Sequence, residues 1–386
     1  MQPERMEPLG VRLRQLLAAF LRLGSTAFGG PAVHIAMFEA EFVGRRKWLT
    51  REHFLDLLAV TNLLPGPNST EMAIHVGYLR AGFAGALLAG CAFITPSFFM
   101  VWALSWGYVT YGQLPQVAPL LRGIGPVVVA IIADAAWRLG RTAARRPAAA
   151  VLLGLAFSAA VFGVHELAVL LVAGLLGLLL SAPARARLRA LRPPPGIWLG
   201  LAGVAFAGPD PARLLALALF FLRTGSVLFG SGYLLISFIE RDLVQTYAWL
   251  STRQVLDAIA LGQLTPGPLS TTATFVGYLV AGDAGAVVAT VAMFLPAFVV
   301  VFLTSPFIAR LRDAVLARAF LDGLQPAVVG LLAATVLRLG RGAVTTAPEL
   351  LLGVVAFVIL IRWRINTVWL LAGGAAAGLV LGLGSQ

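Results

Sequence analysis

The sequence predicts an all-α polytopic membrane protein built from two copies of one unit. Hydrophobic residues make up 59% of the 386-residue chain and charged residues only 12%, too few to cover a water-soluble surface of this size. The apolar segments are long enough to cross a hydrocarbon core of about 30 Å as helices, and the alternation typical of a membrane β-barrel is absent. A series of polar motifs then returns in the same order about 200 residues later.

The repeat is carried by residue types that chance similarity between apolar helices does not keep in register. The run FLRLGS at 20–25 returns as FLRTGS at 221–226, and PGPNST at 65–70 returns as PGPLST at 266–271. The motif RLGR at 138–141 is repeated unchanged at 338–341. Repeats of this size in a hydrophobic chain are typical of secondary transporters.

We expect three parts in the chain. The first repeat covers 1–182, a linker with an additional transmembrane helix covers 183–212, and the second repeat covers 213–386. The additional helix is the short apolar segment 196–207, since an inverted pair of six-crossing units needs one extra crossing. This gives about 13 transmembrane segments, with the broken stretches re-entrant.

Loop charges predict that the two repeats have opposite orientations. Cytoplasmic loops are enriched in Arg and Lys, and the basic cluster 45–47 of the first unit is matched only by the uncharged residues 246–248 of the second. We therefore expect residues 45–51 and 141–147 of the first unit, and 362–365 of the second, to be cytoplasmic.

Each unit contains a helix broken by a Pro-Gly-Pro motif, which stops a helix because proline lacks the N–H group. Two half-helices meeting at such a break present free N–H groups and a positive dipole near the membrane midplane. Ser69 and Thr70 follow the first break, and Ser270 and Thr271 follow the second. These donors suit a small oxyanion. The alternative is a simple kink whose hydroxyls cap the next helix.

Glycine-rich breaks follow the first helix of each unit, at 24–31 and 225–232. They allow close approach of an ion, and close helix packing explains them equally well. Arg22 and Arg223 precede the breaks and offer a positive charge to an oxyanion, unless they extend to the lipid headgroups. The predicted anion-binding residues are Arg22, Ser25, Gly29, Gly30, Asn62, Pro65, Gly66, Pro67, Ser69, Thr70, Arg223, Ser226, Gly230, Gln263, Pro266, Gly267, Pro268, Ser270 and Thr271.

Four mirrored acids are candidates for coupling transport to an ion gradient: Glu39, Asp56, Glu240 and Asp257. They take up protons, balance the arginines, or sit at helix ends as ordinary interfacial charges. Enzyme chemistry is not expected, because no histidine pair has metal-ligand spacing and no phosphate-binding loop with lysine is present. The net charge of +12 lies in short clusters between apolar segments, which membrane topology explains better than nucleic acid.

The motifs FGGP at 28–31, WLT at 48–50 and LPGP at 64–67, with their second-unit copies including QLTPGP at 263–268, resemble the chromate ion transporter family in its long, two-domain form. The resemblance covers nearly the whole chain. It implies a bacterial inner-membrane protein that exports chromate, using an ion gradient or anion exchange, and confers chromate resistance. The first copy departs from the pattern, with NLL at 62–64 where the second has QLT.

We expect alternating access, with the anion bound between the two Pro-Gly-Pro breaks. The expected partners are a small inorganic oxyanion (chromate, or sulfate), the lipid bilayer and, as a homodimer, a second copy of the chain. No cofactor, metal or nucleic acid is expected. Two alternatives stay open: a transporter of sulfate or a related oxyanion, and a membrane sensor or scaffold that transports nothing.

Overall fold

A computed structural model describes residues 7–112, 114, 117–190, 211–229, 232–305 and 314–382. Regular structure in these ranges is entirely helical, which confirms the all-α prediction. The predicted extra crossing at 196–207 and the glycine Gly230 lie outside the described residues.

The two units contain the same series of helices, apart from α8, which leads into the predicted linker, and a 3-10 turn in the second unit. In the first unit the helices are α1 (Leu9–Thr26), α2 (Pro31–Phe38) continued by a π-helix (Glu39–Arg45), α3 (Arg51–Thr61), α4 (Asn68–Tyr111), α5 (Val117–Ala143), α6 (Pro147–Val161), α7 (Glu166–Leu180) and α8 (Ala182–Ala190). In the second they are α9 (Pro211–Val227), α10 (Leu234–Phe238) continued by a π-helix (Ile239–Thr246), α11 (Thr252–Leu264), a 3-10 turn (Leu269–Thr271), α12 (Thr272–Thr304), α13 (Val315–Ala343), α14 (Ala347–Trp363) and α15 (Thr367–Val380).

Four helical segments in the described ranges are long and apolar enough to cross a membrane: α4, α5, Leu269–Thr304 and α13. Helices α6, α7 and α15 are apolar but only 14 or 15 residues long. These segments indicate a membrane-embedded protein, and the count of about 13 crossings stays a prediction.

Helix α4 reverses direction at Ala81 and Gly82, and α12 does the same at Ala281 and Gly282. Thr274 and Thr290 share a hydrogen bond of 2.7 Å, although 16 residues of straight helix would separate them by about 24 Å. In α4, a Cβ added at Gly77 would lie 2.3 Å from the carbonyl oxygen of Gly85. Each helix is therefore two antiparallel limbs, 68–80 and 83–111 in α4, and 272–280 and 283–304 in α12.

The segment between Trp48 and the end of the first α4 limb enters the protein, turns at the Pro-Gly-Pro motif and comes back. The Arg80 guanidinium lies 4.9 Å from the centre of the Trp48 ring, so the segment ends where it began. The side chain of Thr50 caps α3 by accepting the N–H of His53, and Ser251 caps α11 in the same way. The repeated Trp-Leu-Thr/Ser motif thus fixes the entry of each broken stretch.

The second limbs of α4 and α12 run antiparallel to each other. Phe83, at the start of its limb, contacts Phe302 near the end of the other, with ring centres 5.3 Å apart. Reciprocally, Trp102 Nε1 donates to Asp283 Oδ1 at 2.7 Å. These limbs are equivalent parts of the repeat, so one pair of equivalent helices in the two units is antiparallel.

The units also exchange their last helices. The α6–α7 pair of the first unit packs on α13, and the α14–α15 pair of the second packs on α5. Backbones touch at these crossings: a Cβ added at Gly123 would lie 2.1 Å from the oxygen of Gly374, and one at Gly323 would lie 2.1 Å from the oxygen of Ala173. The glycines are needed for this close packing, which interlocks the two units.

Candidate functional site

Each Pro-Gly-Pro turn forms a backbone hydrogen bond with the opposite unit. The N–H of Gly66 donates to the carbonyl of Leu228 at 2.7 Å, and that of Gly267 donates to the carbonyl of Ala27 at 2.9 Å. Leu228 and Ala27 are equivalent positions at the ends of α9 and α1. Since neighbouring prolines cannot donate, the glycine N–H is the donor that each turn has at this point.

The hydroxyls that follow the turns are buried against protein. Thr271 Oγ1 and Ser97 Oγ are 2.8 Å apart, whereas the equivalent Thr70 Oγ1 is buried with no hydrogen-bond partner. Ser69 and Ser270 are also at most 2% exposed. The hydroxyls predicted at the glycine breaks, those of Ser25 and Ser226, donate to carbonyls of their own helices at 2.7 Å.

Arg22 and Arg223 are held by acids of the π-helical segments. Arg22 pairs with Glu41 at 2.5 Å, and Arg223 pairs with Asp242. Their roles as anion ligands stay predictions. In this conformation each arginine is paired with a carboxylate of its own unit, and Glu41 is shared by Arg22, Arg45 and Arg46.

Two adjoining cavities lie beside the Pro-Gly-Pro turns, and we call them cavity A and cavity B. Cavity A has a volume of about 470 Å³ and cavity B of about 440 Å³. They share Gly29, Arg138 and Tyr233. Of the predicted anion-binding residues that the structure describes, those lining the two cavities are Gly29, Gly30, Asn62 and Gln263. The other predicted anion-binding residues that the structure describes do not line either cavity.

Cavity B is strongly positive. Arg138, Arg141 and Arg364 line it, and Asp134 is the carboxylate in its wall. Arg138 Nε lies 2.9 Å from Asp134 Oδ2, yet 61% of the arginine side chain remains exposed. Among the described residues that line the cavity, three guanidinium groups and one carboxylate give an excess of positive charge, which favours an anion.

Neutral donors from both units complete the cavity walls. Asn62 accepts a hydrogen bond of 2.6 Å from Asn68 in the wall of cavity A. Its counterpart Gln263 lies 3.4 Å from the Tyr233 hydroxyl in cavity B. Amide and phenol donors beside arginines can orient an oxyanion by hydrogen bonds.

The four acids considered for coupling lie outside these walls. Glu39 is 3.3 Å from Arg51, and Glu240 is 2.6 Å from Arg338. Asp257 accepts from Tyr108 at 2.8 Å, and Asp56 also has an interaction partner. Their coupling roles stay predictions.

Sequence reasoning missed several cavity residues. Arg138 and Arg141 were noted as a repeated motif, and that repetition was the available signal for their importance. Arg364, Tyr233 and Asn68 have no polar counterpart in the other unit, so the repeat gave no signal for them and only the fold brings them to the site.

Comparison with known sequences shows the family to which this protein belongs. The sequence profile of the family described as "Chromate transporter" matches residues 14–178 and again 215–379. The chain belongs to the chromate transporter family. It is therefore a membrane-embedded transport protein and not an enzyme.

Proteins named as chromate transport proteins match this chain over most of their length. The transporter is 34% identical to the chromate transport protein of Cupriavidus metallidurans, over 95% of this chain and 93% of that protein. It is 33% identical to the probable chromate transport protein of Synechococcus elongatus, over 90% of this chain and 89% of the relative. The chromate transport protein of Pseudomonas aeruginosa is also 33% identical, over 95% of this chain and 92% of the relative. No solved structure matches the chain at a significant level.

Proposed function

We propose that this transporter exports chromate across the bacterial inner membrane by alternating access and thereby confers chromate resistance. The observation that carries the proposal is cavity B, which Arg138, Arg141 and Arg364 line together with Gln263, three residues before the second Pro-Gly-Pro motif. Chromate is a tetrahedral dianion, and its oxygens match the bidentate geometry of guanidinium groups. Family membership identifies the oxyanion class.

Opposite orientation of the two units in the membrane is part of the proposal. The antiparallel limbs, joined at Phe83–Phe302 and Trp102–Asp283, support it. Arg141 and Arg364 line one cavity, which agrees with the expectation that 141–147 and 362–365 lie on the same side.

A labelling experiment tests this orientation. Lys47 and Ala248 are exposed counterparts in the two units, and both have positive φ angles, 54° and 51°. In a Cys91→Ala background, Lys47→Cys should react with an impermeant thiol reagent only from the cytoplasmic side and Ala248→Cys only from the outside. Labelling of both from one side would contradict the inverted arrangement.

Asymmetry between the two ends of the protein supports alternating access. Cavity B is open near the end of α5, whereas the other end of α6 is closed by ion pairs. There Arg338 lies 2.6 Å from Glu240, and Arg241 lies 3.3 Å from Glu166 and donates to two carbonyls of the α6–α7 turn. We infer an inward-facing state, in which the positive cavity is reached from the cytoplasm.

Transport is tested with labelled chromate in inverted membrane vesicles, with and without a pH gradient and with excess sulfate outside. We expect accumulation by the wild type and by Arg145→Ala, an exposed arginine outside both cavities, and a strong loss for Arg138→Ala. Uptake abolished by sulfate would identify a general oxyanion transporter, because cavity charge and shape do not distinguish the central atom. No uptake of either anion under any gradient would refute transport and favour the sensor or scaffold function. The domain boundaries and a homodimer stay predictions.

A further inference from the structure

Glu71 is a buried acid at the first Pro-Gly-Pro turn that neither the repeat nor the cavities explain. It lies in the first turn of α4 and is 0% exposed. Neither of its carboxylate oxygens has a hydrogen-bond partner. A Cβ added at Gly66 would lie 2.4 Å from Glu71 Oε1, so the carboxyl group packs directly against the turn.

Every other buried acid in the described ranges has a cation or a hydrogen-bond donor. Asp134 has Arg138, Glu166 has Arg241, and Glu349 accepts the N–H groups of Thr345 and Thr346. The remaining pairs are Glu41 with Arg22, Glu240 with Arg338, Asp242 with Arg223, and Asp257 with Tyr108 and Arg253. An ionised carboxylate away from water with neither kind of partner is strongly disfavoured, so Glu71 requires a proton in this conformation.

The elements packed on α4 bring no charge to Glu71. On α2, the buried His34 is bound through Nε2 to the carbonyl of Ala27 at 3.0 Å. On α1, Arg22 is paired with Glu41, and Arg12 donates to the carbonyl of Arg80. On α3, Asp56 has a partner of its own, and on α11 Asp257 is held by Tyr108. On α12, the residue nearest the turn is Ala297, 3.3 Å from the added Cβ at Gly66. Within the described residues, no arginine, lysine or histidine nitrogen lies within 4.0 Å of Glu71.

A second buried titratable group lies one helical turn beyond Glu71. His75 is at i+4 on the same face of α4 and is also 0% exposed. Its Nδ1 lies 3.4 Å from the hydroxyl of Ser305, just beyond the end of α12, and its Nε2 has no partner. The second unit has Thr272 and Phe275 at the equivalent positions, so this polar line belongs to the first unit alone.

Glu71 is also close to cavity A, which adjoins the proposed anion site in cavity B. Asn68 lines cavity A, and Glu71 follows it by three residues, on the same side of the helix. A negative charge here would repel a dianion bound beside the turn, while a neutral carboxyl would not. Anion binding and proton binding at this position therefore favour each other.

We propose that the Glu71 carboxyl is a proton site linked to anion binding: an oxyanion dianion bound beside the Pro-Gly-Pro turns favours the packing described here, in which Glu71 carries a proton, and when the anion leaves, the carboxyl gains access to water and releases that proton. His75, one helical turn from Glu71, and Ser305 are the buried polar groups on the side of α4 that leads from the carboxyl to the end of α12. This inference rests on the proposed function. The proton travels with the anion, and the electrical driving force then acts on one net negative charge.

The test measures protons taken up per anion bound by the purified full-length protein in weakly buffered detergent solution with a pH-sensitive dye. Potassium chromate is one probe, and sulfate, which stays a dianion throughout the useful pH range, is the other. We expect about one proton per sulfate for the wild type and none for Glu71→Gln. Wild-type affinity should strengthen by as much as about tenfold for each unit of falling pH, and that of Glu71→Gln should not change.

Three further variants keep the result interpretable. Glu71→Thr introduces the residue that the second unit has at this position, so the repeat itself shows that the side chain fits. His75→Phe, again the counterpart, should slow proton uptake without changing its amount. The exposed Glu52→Gln should behave as the wild type. If the wild type binds sulfate without taking up a proton, or Glu71→Gln takes up as many protons as the wild type, the inference is wrong; if the wild type binds neither anion, the proposed function itself fails.

Discussion

The guanidinium of Arg338 lies 2.6 Å from the carboxylate of Glu240, whereas its counterpart Arg138 faces an open cavity. Only 19% of the Arg338 side chain is exposed, against 61% for Arg138. The counterpart of Glu240 is Glu39, which here is bound to Arg51. In an inverted repeat, the outward-facing state exchanges the conformations of the two units. That state should pair Arg138 with Glu39 and release Arg338.

The first prediction follows from this exchange. Glu240→Gln removes the charge that holds Arg338, so the inward-facing state should lose about 1.4 kcal/mol or more relative to the outward-facing one. A loss of this size lowers the ratio of the two states about tenfold. Thr142 lines cavity A and is exposed. In a Cys91→Ala background, Thr142→Cys should react more slowly with a cytoplasmic thiol reagent when Glu240→Gln is added. Glu52→Gln serves as control. An unchanged labelling rate in the Glu240→Gln protein would show that the Arg338–Glu240 pair does not hold the inward-facing state.

The second prediction concerns Arg138, which lines both cavities. A hydrogen bond to a charged group contributes about 1.5–3 kcal/mol, and the lower value applies because the side chain is largely exposed. Arg138→Ala should therefore weaken chromate binding about tenfold, measured by isothermal titration calorimetry. Arg138→Lys keeps the charge but loses the planar fork, and should fall between the wild type and alanine. Arg145→Ala should bind chromate with wild-type affinity. Equal affinities for the wild type and all three variants would show that Arg138 does not bind the anion.

The sequence predicted the fold class and the positions of the breaks because both depend on local chemistry. Apolar runs fix membrane helices, and Pro-Gly-Pro stops a helix wherever it occurs. The expectation of re-entrant broken stretches requires a reversal after each of them, but Gly82 and Gly282 do not mark it by themselves, since a single glycine in an apolar run also occurs in continuous helices. The exchange of α6–α7 and α14–α15 between units depends on tertiary packing, which no local pattern encodes.

The candidate site was predicted less well than the fold. Gly29, Gly30, Asn62 and Gln263 line the cavities, as expected of mirrored polar and glycine positions. The serines and threonines after the turns are buried instead, because capping and helix contacts compete for the same hydroxyls. Arg364 could not be found from the repeat, since its counterpart is Gly163.

The third prediction uses that difference between Arg364 and Gly163. Arg364 ends α14 with a φ of 52°, in the left-handed region, and Gly163 has a φ of 82°. Holding an arginine in the left-handed region costs on the order of 1–3 kcal/mol of folding free energy. A glycine relieves this strain, but part of the gain is lost because glycine also makes the unfolded chain more flexible. Arg364→Gly should raise the stability by about 0.5–1 kcal/mol, seen as a higher thermal midpoint in detergent.

The same substitution should weaken anion binding, because it removes one of the three arginines of cavity B. The control is Arg362→Gly, two residues earlier within α14, which should lower the thermal midpoint and leave affinity unchanged. A less stable Arg364→Gly protein, or one with wild-type chromate affinity, would show that the strained arginine is not retained for binding.

The fourth prediction restores a hydrogen bond that one unit has and the other lacks. Thr271 and Ser97 pair at 2.8 Å, and their counterparts are Thr70, whose hydroxyl has no partner, and Ala297. Gly66 and Gly267 pack in the same way against Ala297 and Ser97, at 3.3 Å and 2.8 Å from an added Cβ.

Ala297→Ser should therefore stabilise the protein by about 0.5–1.5 kcal/mol, by giving Thr70 Oγ1 the partner that its counterpart already has. Thermal unfolding in detergent measures the gain. A double-mutant cycle with Thr70→Val isolates the bond: serine should give no advantage once the threonine hydroxyl is gone. If Ala297→Ser stabilises equally in both backgrounds, the gain comes from elsewhere, and if it destabilises the wild type, the two turns are not packed equivalently.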